Sequence, residues 1–283
     1  RNKGGVPMDK QNILPVKSDV IFRLFFADER NVEFLVSFLK SALDLPDDDY
    51  NEIEIADPHL LREYPADKLG IIDVKLKTKS RKIIHIEIQL AVTPELKNRI
   101  VFYDAKLITE QIGNGDDYAA VKRVISIVVT DEELIAASPR YHHRFTLYDR
   151  DAGVAFTDLF EVHTLELPKL PHDADGTLLY DWARFIAAET EEELSMLSER
   201  NQTIGRAVVK LRELSADERA RDLYERREKA RRDNAMFMRD AERRGVERTQ
   251  FEIARKLINR GRPIDEIIED TGLTREEIEG LHQ

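Results

Sequence analysis

Asp73 and Glu87 are two acids that the chain's own periodicity sets against each other. Residues 71–77 and 83–90 carry an apolar side chain at every second position: Ile72, Val74 and Leu76 in the first, and Ile84, Ile86, Ile88 and Leu90 in the second. That is the pattern of two strands buried on one face, with the acids on the other. The two apolar stripes must share a face, so the joining loop holds an odd number of residues, and Lys79-Ser80-Arg81 is the shortest sensible choice. This register places Asp73 opposite Glu87, with Cβ atoms roughly 5 Å apart, and Gln89 beside them. Facing carboxylates repel unless a cation lies between them, and a divalent metal ion is the economical one. The competing reading is an exposed polar sheet face on which acids alternate harmlessly with Lys75, Lys77 and Lys79. Against it, His85, Glu87 and Gln89 form a compact polar group inside the most apolar segment of the chain.

A two-carboxylate metal site with a nearby cation can polarise a phosphodiester, activate a bound water and balance the charge of a five-coordinate transition state. The helix expected to open at Thr93-Pro94-Glu95 and run to about Ile112 carries Arg99, Tyr103 and Lys106 on one face. That face could return over the polar side of the hairpin. On spacing alone the same residues suit an ordinary solvated helix equally well.

The surrounding chain supplies elements to hold such a site. Residues 19–43 have helical periodicity with a break at 27–31, predicting two short helices, and Ile53-Glu54-Ile55 suits a short strand before a loop over 57–67. Val124 to Thr130 is a continuous β-branched run, the signature of a strand buried on both faces. Residues 144–148 and 162–167 read as two more strands, so the class is α/β. Beyond Pro168 and Pro171 the chain is almost wholly helical. Its last part resolves into a helix ending at Gly261, a second from about Pro263, and a third capped by Thr274 with Glu277. The outline also fits a helix-turn-helix, but Arg275 stands among Glu276, Glu277 and Glu279, which opposes insertion into a DNA groove.

With 283 residues the chain is long enough for a sizeable core, and with no cysteine it has neither disulfides nor thiolate metal sites, which suits a cytoplasmic location. No apolar run approaches the roughly 18 residues of a membrane span, and no secretory leader is evident. Residues 1–7, ahead of Met8, read as an expression remnant or an alternative start. The net charge of −11 hides a division: residues 200–262 hold 19 basic and 11 acidic side chains, leaving a strongly acidic remainder. Such a stretch can neutralise phosphates, or can be a helix laced with alternating charges. Phosphate loops of the Walker type, His-Glu-x-x-His zinc helices and serine nucleophile elbows are missing. The seven histidines show no ligand spacing, and His142-His143 reads as a surface pair at a strand edge.

Taken in order, Lys17-Ser18-Asp19-Val20-Ile21-Phe22, Asp73, His85-Ile86-Glu87-Ile88-Gln89, Arg99 with Tyr103-Asp104-Ala105-Lys106-Leu107, and Leu165-Glu166-Leu167-Pro168-Lys169 resemble the recombination-promoting nucleases, also described as PD-(D/E)xK nuclease family transposases. The resemblance covers residues 14–169 and extends to the helical tail. It implies a restriction-endonuclease-like core, a mixed sheet flanked by helices, followed by an all-α C-terminal region. It also implies Mg²⁺-dependent DNA cleavage, with Mn²⁺ or Ca²⁺ as alternatives, in bacterial mobile-element recombination or defence. Asp73 and Glu87 would be the metal ligands, Gln89 would replace the superfamily's lysine, and Asp19 would lie where another acid is often supplied. Ile72 stands in place of the superfamily's proline, and the missing positive charge would come from Lys106 or Lys75. Arg99 and Tyr103 would support the site.

The expected organisation is a disordered or expression-derived segment over 1–13, a nuclease-like core over 14–172, a charged helical region over 173–250 and a small helical unit over 251–283. The expected function is a metal-dependent DNA endonuclease acting on DNA as a homodimer, assembled at least partly through 251–281. The alternatives are a catalytically inactive nuclease-fold module that binds DNA or protein through its helical tail, and a regulatory scaffold assembled through the terminal helices.

Overall fold

The computed structural model describes residues 13–56 and 73–281. The expectations for residues 1–12, for the 57–67 loop and for Ile71 and Ile72 fall outside the described residues.

Among the described residues six strands, β1 (Glu54–Ala56), β2 (Val74–Lys77), β3 (Ile83–Gln89), β4 (Val124–Thr130), β5 (His142–Asp149) and β6 (Val154–Glu166), form one sheet in the order β1-β2-β3-β4-β6-β5. The centre is parallel, β3 with β4 and β4 with β6, while β1, β2 and β5 pair antiparallel at the flanks. A parallel neighbour needs a crossover, and α3 (Leu96–Thr109) supplies it between β3 and β4. β6 begins eight residues before the expected strand, because its outer half pairs with β5 as a hairpin beyond the buried sheet.

Alternation within the strands divides the core in two. Val74, Leu76, Ile84, Ile86, Ile88, Ile125, Ile127 and Val129 face a large cluster built with α1 (Asp19–Phe26), α2 (Val32–Ala42), α4 (Leu178–Ala187), α5 (Glu191–Arg200) and α6 (Gln202–Ala216). Phe22, Phe25, Phe26, Phe34, Phe38, Trp182 and Phe185 interlock there, and the Trp182 indole N–H donates to Ser37 Oγ at 3.1 Å. The opposite face receives α3 in two smaller clusters, Ile83 and Val124 against Tyr103 and Leu107, and Val128 and Val162 against Leu96 and Ile100. β3 is therefore covered on both faces, not on the apolar one alone as its alternation suggests. The reason is that α3 returns over the polar side.

The described chain forms two compact units, one through Tyr224 and one from Glu225 onward. Ile204, Ala207, Val208, Leu211 and Ala220 belong to the large cluster, so the first part of the basic segment is core-forming. The helix that follows, α7 (Glu218–Asn259), is laced with ion pairs one turn apart, among them Arg231–Glu228, Arg243–Asp240 and Arg243–Glu247. Its end joins α8 (Ile264–Thr271) and α9 (Arg275–Gly280), whose Thr274–Glu277 capping box forms as expected. Gly272, at φ 71°, makes the left-handed turn between them.

The apolar side chains of 251–281, the unit expected to assemble a homodimer, largely bury one another. Ile267, Leu273 and Ile278 are buried, Leu257, Ile264, Ile268 and Leu281 pack against them, and Ile253 alone of that set is exposed, at 41%. The short helices α8 and α9 close over their own apolar faces because the end of α7 supplies the third wall. His142 and His143 also differ from a surface pair. His143 is buried, and His142 Nε2 lies 2.9 Å from His163 Nδ1, where burial pulls the His142 pKa down to about 4.

Candidate active site at the end of β3

The hairpin between β2 and β3 follows from its sequence. Thr78 N–H donates to the Lys82 carbonyl at 3.0 Å and closes a loop of Lys79, Ser80 and Arg81, with Arg81 in the left-handed region at φ 65°. Asp49 anchors the loop by accepting from Ser80 N–H at 3.2 Å and pairing with Lys82. The ladder runs Lys77↔Ile83, Leu76↔Ile84, Lys75↔His85 and Val74↔Ile86. Asp73 directly precedes Val74, so the same register carries it opposite Glu87. It is held there by a hydrogen bond of 2.7 Å from the Ile88 backbone N–H to its Oδ2.

Burial raises the Asp73 pKa to about 7, with the neighbouring Glu87 and Asp19 charges adding to the rise, while the Ile88 N–H and Arg23 oppose it. Asp19 opens α1 and Arg23 lies one turn on, so that helix brings an acid and a cation to bear on Asp73. Glu87 is 4% exposed. Its Oε1 accepts from the Gln89 side-chain N–H at 2.7 Å and from Arg99 at 2.5 Å, and its buried Oε2 has no hydrogen-bond partner.

The cations lie where sequence spacing alone could not assign them. Arg99 meets Glu87, whereas Lys106 sits seven residues further along α3, about 10 Å away by helical rise. Lys75 points at the far end of that helix and lies 3.9 Å from Glu110. Tyr103 is buried against Ile83, Leu107 and Val124, and helps seat the helix. Lys17 bridges Asp131 at 2.8 Å and Glu189 at 2.5 Å, and Asp131 N–H donates to the Gln89 carbonyl, which ties the approach to α1 to the ends of β3 and β4. The sequence reading missed Arg23, and quoted Lys17 only within the segment that carries the resemblance, without a role. Lys17 stands two residues before Asp19, and Arg23 follows Asp19 by one helical turn, which is the signal that could have found it.

Among the described residues no group of three or more His, Asp or Glu side chains is placed to hold a metal ion. A divalent ion nevertheless fits the pair. Mg²⁺ binds through one or two carboxylates and keeps several waters, and the unpartnered buried Glu87 Oε2 and the electrostatically strained Asp73 are groups that a cation would satisfy. Asp73 and Glu87 would hold it.

Among the described residues no helix is long and apolar enough to cross a membrane. No curated protein and no solved structure matches the chain. A family model, PD-(D/E)XK nuclease family transposase, matches residues 16–241, a span that begins at Val16 and includes the carboxylate pair. Matched over most of its length, the chain belongs to the PD-(D/E)XK nuclease family transposases.

Proposed function

We propose that the protein is a metal-dependent DNA endonuclease serving mobile-element recombination or defence, with Mg²⁺ as its cofactor and Asp73 and Glu87 as the ligands. The observation that carries this reading is the facing pair itself: a half-buried acid with its pKa raised to about 7 beside a buried acid with an unpartnered oxygen. Arg99 joins Glu87 through Oε1 only, and Asp73 beside it gains nothing in stability from its own charge unless a further cation joins the pair. When bound, the divalent ion supplies Lewis-acid polarisation of the phosphoryl oxygen and a more acidic water. The chain's own residues do the rest. Arg99 and the Gln89 amide fix the Glu87 carboxylate by their bonds to Oε1, leaving Oε2 for a ligand. The Arg99 guanidinium also offers the positive charge that the neutral Gln89 does not carry. Double-strand cleavage then follows from a homodimer, since a single site cuts one strand at a time.

The second reading is a nuclease-fold binding module without catalysis. It is favoured by the Arg99–Glu87 ion pair, which already neutralises one of the two acids. Nicking of supercoiled plasmid by the purified protein across Mg²⁺, Mn²⁺ and Ca²⁺ separates the two. Metal-dependent nicking that disappears in Asp73→Asn supports the enzyme, and no nicking with any of these ions supports the module. Light scattering of the same preparation tests the homodimer.

A further inference from the structure

Three buried polar side chains, His85 on β3, Asp104 on α3 and Ser126 on β4, meet between the sheet and its covering helix. Each is fully buried at 0% exposure. The Ser126 hydroxyl donates to Asp104 Oδ1, and His85 Nε2 lies within hydrogen-bonding range of both. His85 and Ser126 are direct partners in the parallel ladder, so their side chains rise from one face of the sheet side by side. His85 Nδ1 and Asp104 Oδ2 have no hydrogen-bond partner.

The residue types invite comparison with a nucleophilic triad, and the geometry rules that out. No substrate reaches a fully buried serine, and its hydroxyl is directed at the carboxylate, without an imidazole relay between them. A stabilising role for its own sake is equally poor. Polar groups buried with unsatisfied atoms are costly, and apolar side chains of similar volume would hold the helix at least as firmly. Apolar contacts already do so on both sides of the triangle, through Tyr103 and Leu107 at one end and Leu96 and Ile100 at the other.

What an apolar seam lacks is an index along its length. Hydrophobic burial is non-directional, whereas hydrogen bonds are fixed in distance and angle. α3 runs antiparallel to β3, since Arg99 meets Glu87 and Asp104 meets His85. From Arg99 to Asp104 the helix rises about 7.5 Å, and from Glu87 to His85 the strand covers about 6.7 Å. The two spacings match to within about 1 Å. Seating Asp104 on His85 and Ser126 therefore seats Arg99 on Glu87, and a slip by one helical turn, about 5.4 Å, would carry the guanidinium away from the acid.

We propose that His85, Asp104 and Ser126 are positioning residues, a buried polar lock that sets the axial register of α3 on β3 and β4 and so holds Arg99 against Glu87. Its relevance to cleavage rests on the reading of Asp73 and Glu87 as metal ligands. The lock itself is testable without metal.

The test uses the full chain, ¹⁵N-labelled at arginine, as wild type and as Asp104→Leu, Asp104→Asn and Arg99→Ala. Hydrogen exchange at the Arg99 Nε–H is followed by NMR without metal, because that nitrogen is buried in the native protein. Asp104→Leu is expected to abolish its protection, and Asp104→Asn, which keeps an Oδ1 acceptor, to restore it. Mn²⁺ titration of the same proteins is the second readout. Removing the cation beside Glu87 is expected to tighten Mn²⁺ binding roughly tenfold in both Asp104→Leu and Arg99→Ala, and the double variant should bind no tighter than either. General loosening of the fold would weaken binding instead. Unchanged Arg99 protection in a folded Asp104→Leu protein, or tightening that adds in the double variant, overturns the lock. If Asp104→Leu does not fold, Ser126→Ala removes one vertex and is judged by the same exchange measurement. Mn²⁺ binding that is absent from wild type, or undiminished in Asp73→Asn, would overturn the metal-site reading and leave the exchange result to decide the lock.

Discussion

Asp73 Oδ2 accepts a hydrogen bond of 2.7 Å from the backbone N–H of Ile88, the residue directly after Glu87. This bond extends the register of the hairpin by one position beyond the last paired residues, Val74 and Ile86. It holds the Asp73 carboxylate beside an acid that repels it. Burial first, and that repulsion in addition, push the Asp73 pKa up to about 7.

A carboxyl whose folded pKa lies above its ordinary 3.8 contributes stability that is complete below pH 4 and lost as the pH rises through 7. The metal-free protein is therefore expected to be more stable at pH 5 than at pH 8, by up to roughly 3 kcal/mol from this group. Asp73→Asn should flatten that difference, be no less stable than wild type at pH 8, and lose nicking by at least about a hundredfold. Urea midpoints at the two pH values, together with plasmid nicking, check all three.

Gln89 donates its side-chain N–H to Glu87 Oε1. A lysine ammonium at this partly exposed position can make the same contact, so Gln89→Lys is expected to keep nicking within about threefold. Gln89→Leu, which cannot donate, should lose about tenfold. Equal loss in the two variants would show that the amide's donation is irrelevant to the site.

Arg232, Arg239 and Arg255 are exposed along α7. If the helix contacts the phosphate backbone through them, converting all three to glutamine lowers the slope of log affinity against log salt by about one per arginine, for any DNA sequence. A slope that stays at the wild-type value would mark α7 as a solvated, ion-paired helix only.

Ile267 is fully buried in the terminal cluster with Ala254, Leu273 and Ile278. Ile267→Ala is expected to destabilise that unit by about 2–4 kcal/mol, read as faster amide exchange in α8 and α9. Nicking should remain at its wild-type rate, because the carboxylate pair belongs to the other compact unit.

The pairing of Asp73 with Glu87 was written in the chain, because alternation has a period of two and a loop of odd length is the only way to bring two apolar stripes to one face. The two N-terminal helices, the doubly buried β4 and the capped terminal helices were legible for the same reason, since each depends on periodicities and caps confined to a few neighbouring residues. Tertiary structure decided which cation meets the acids. Helical spacing puts Arg99, Tyr103 and Lys106 on one face without saying where along β3 that face lands, and the axial position of a docked helix is set by contacts from other elements, here His85 and Ser126. It also decided that α3 would bury Glu87, that Arg23 would act on Asp73 from α1, and that the end of α7 would close over the terminal apolar residues. Those outcomes depend on side chains far apart in sequence sharing one volume, and a local pattern carries no record of such distances.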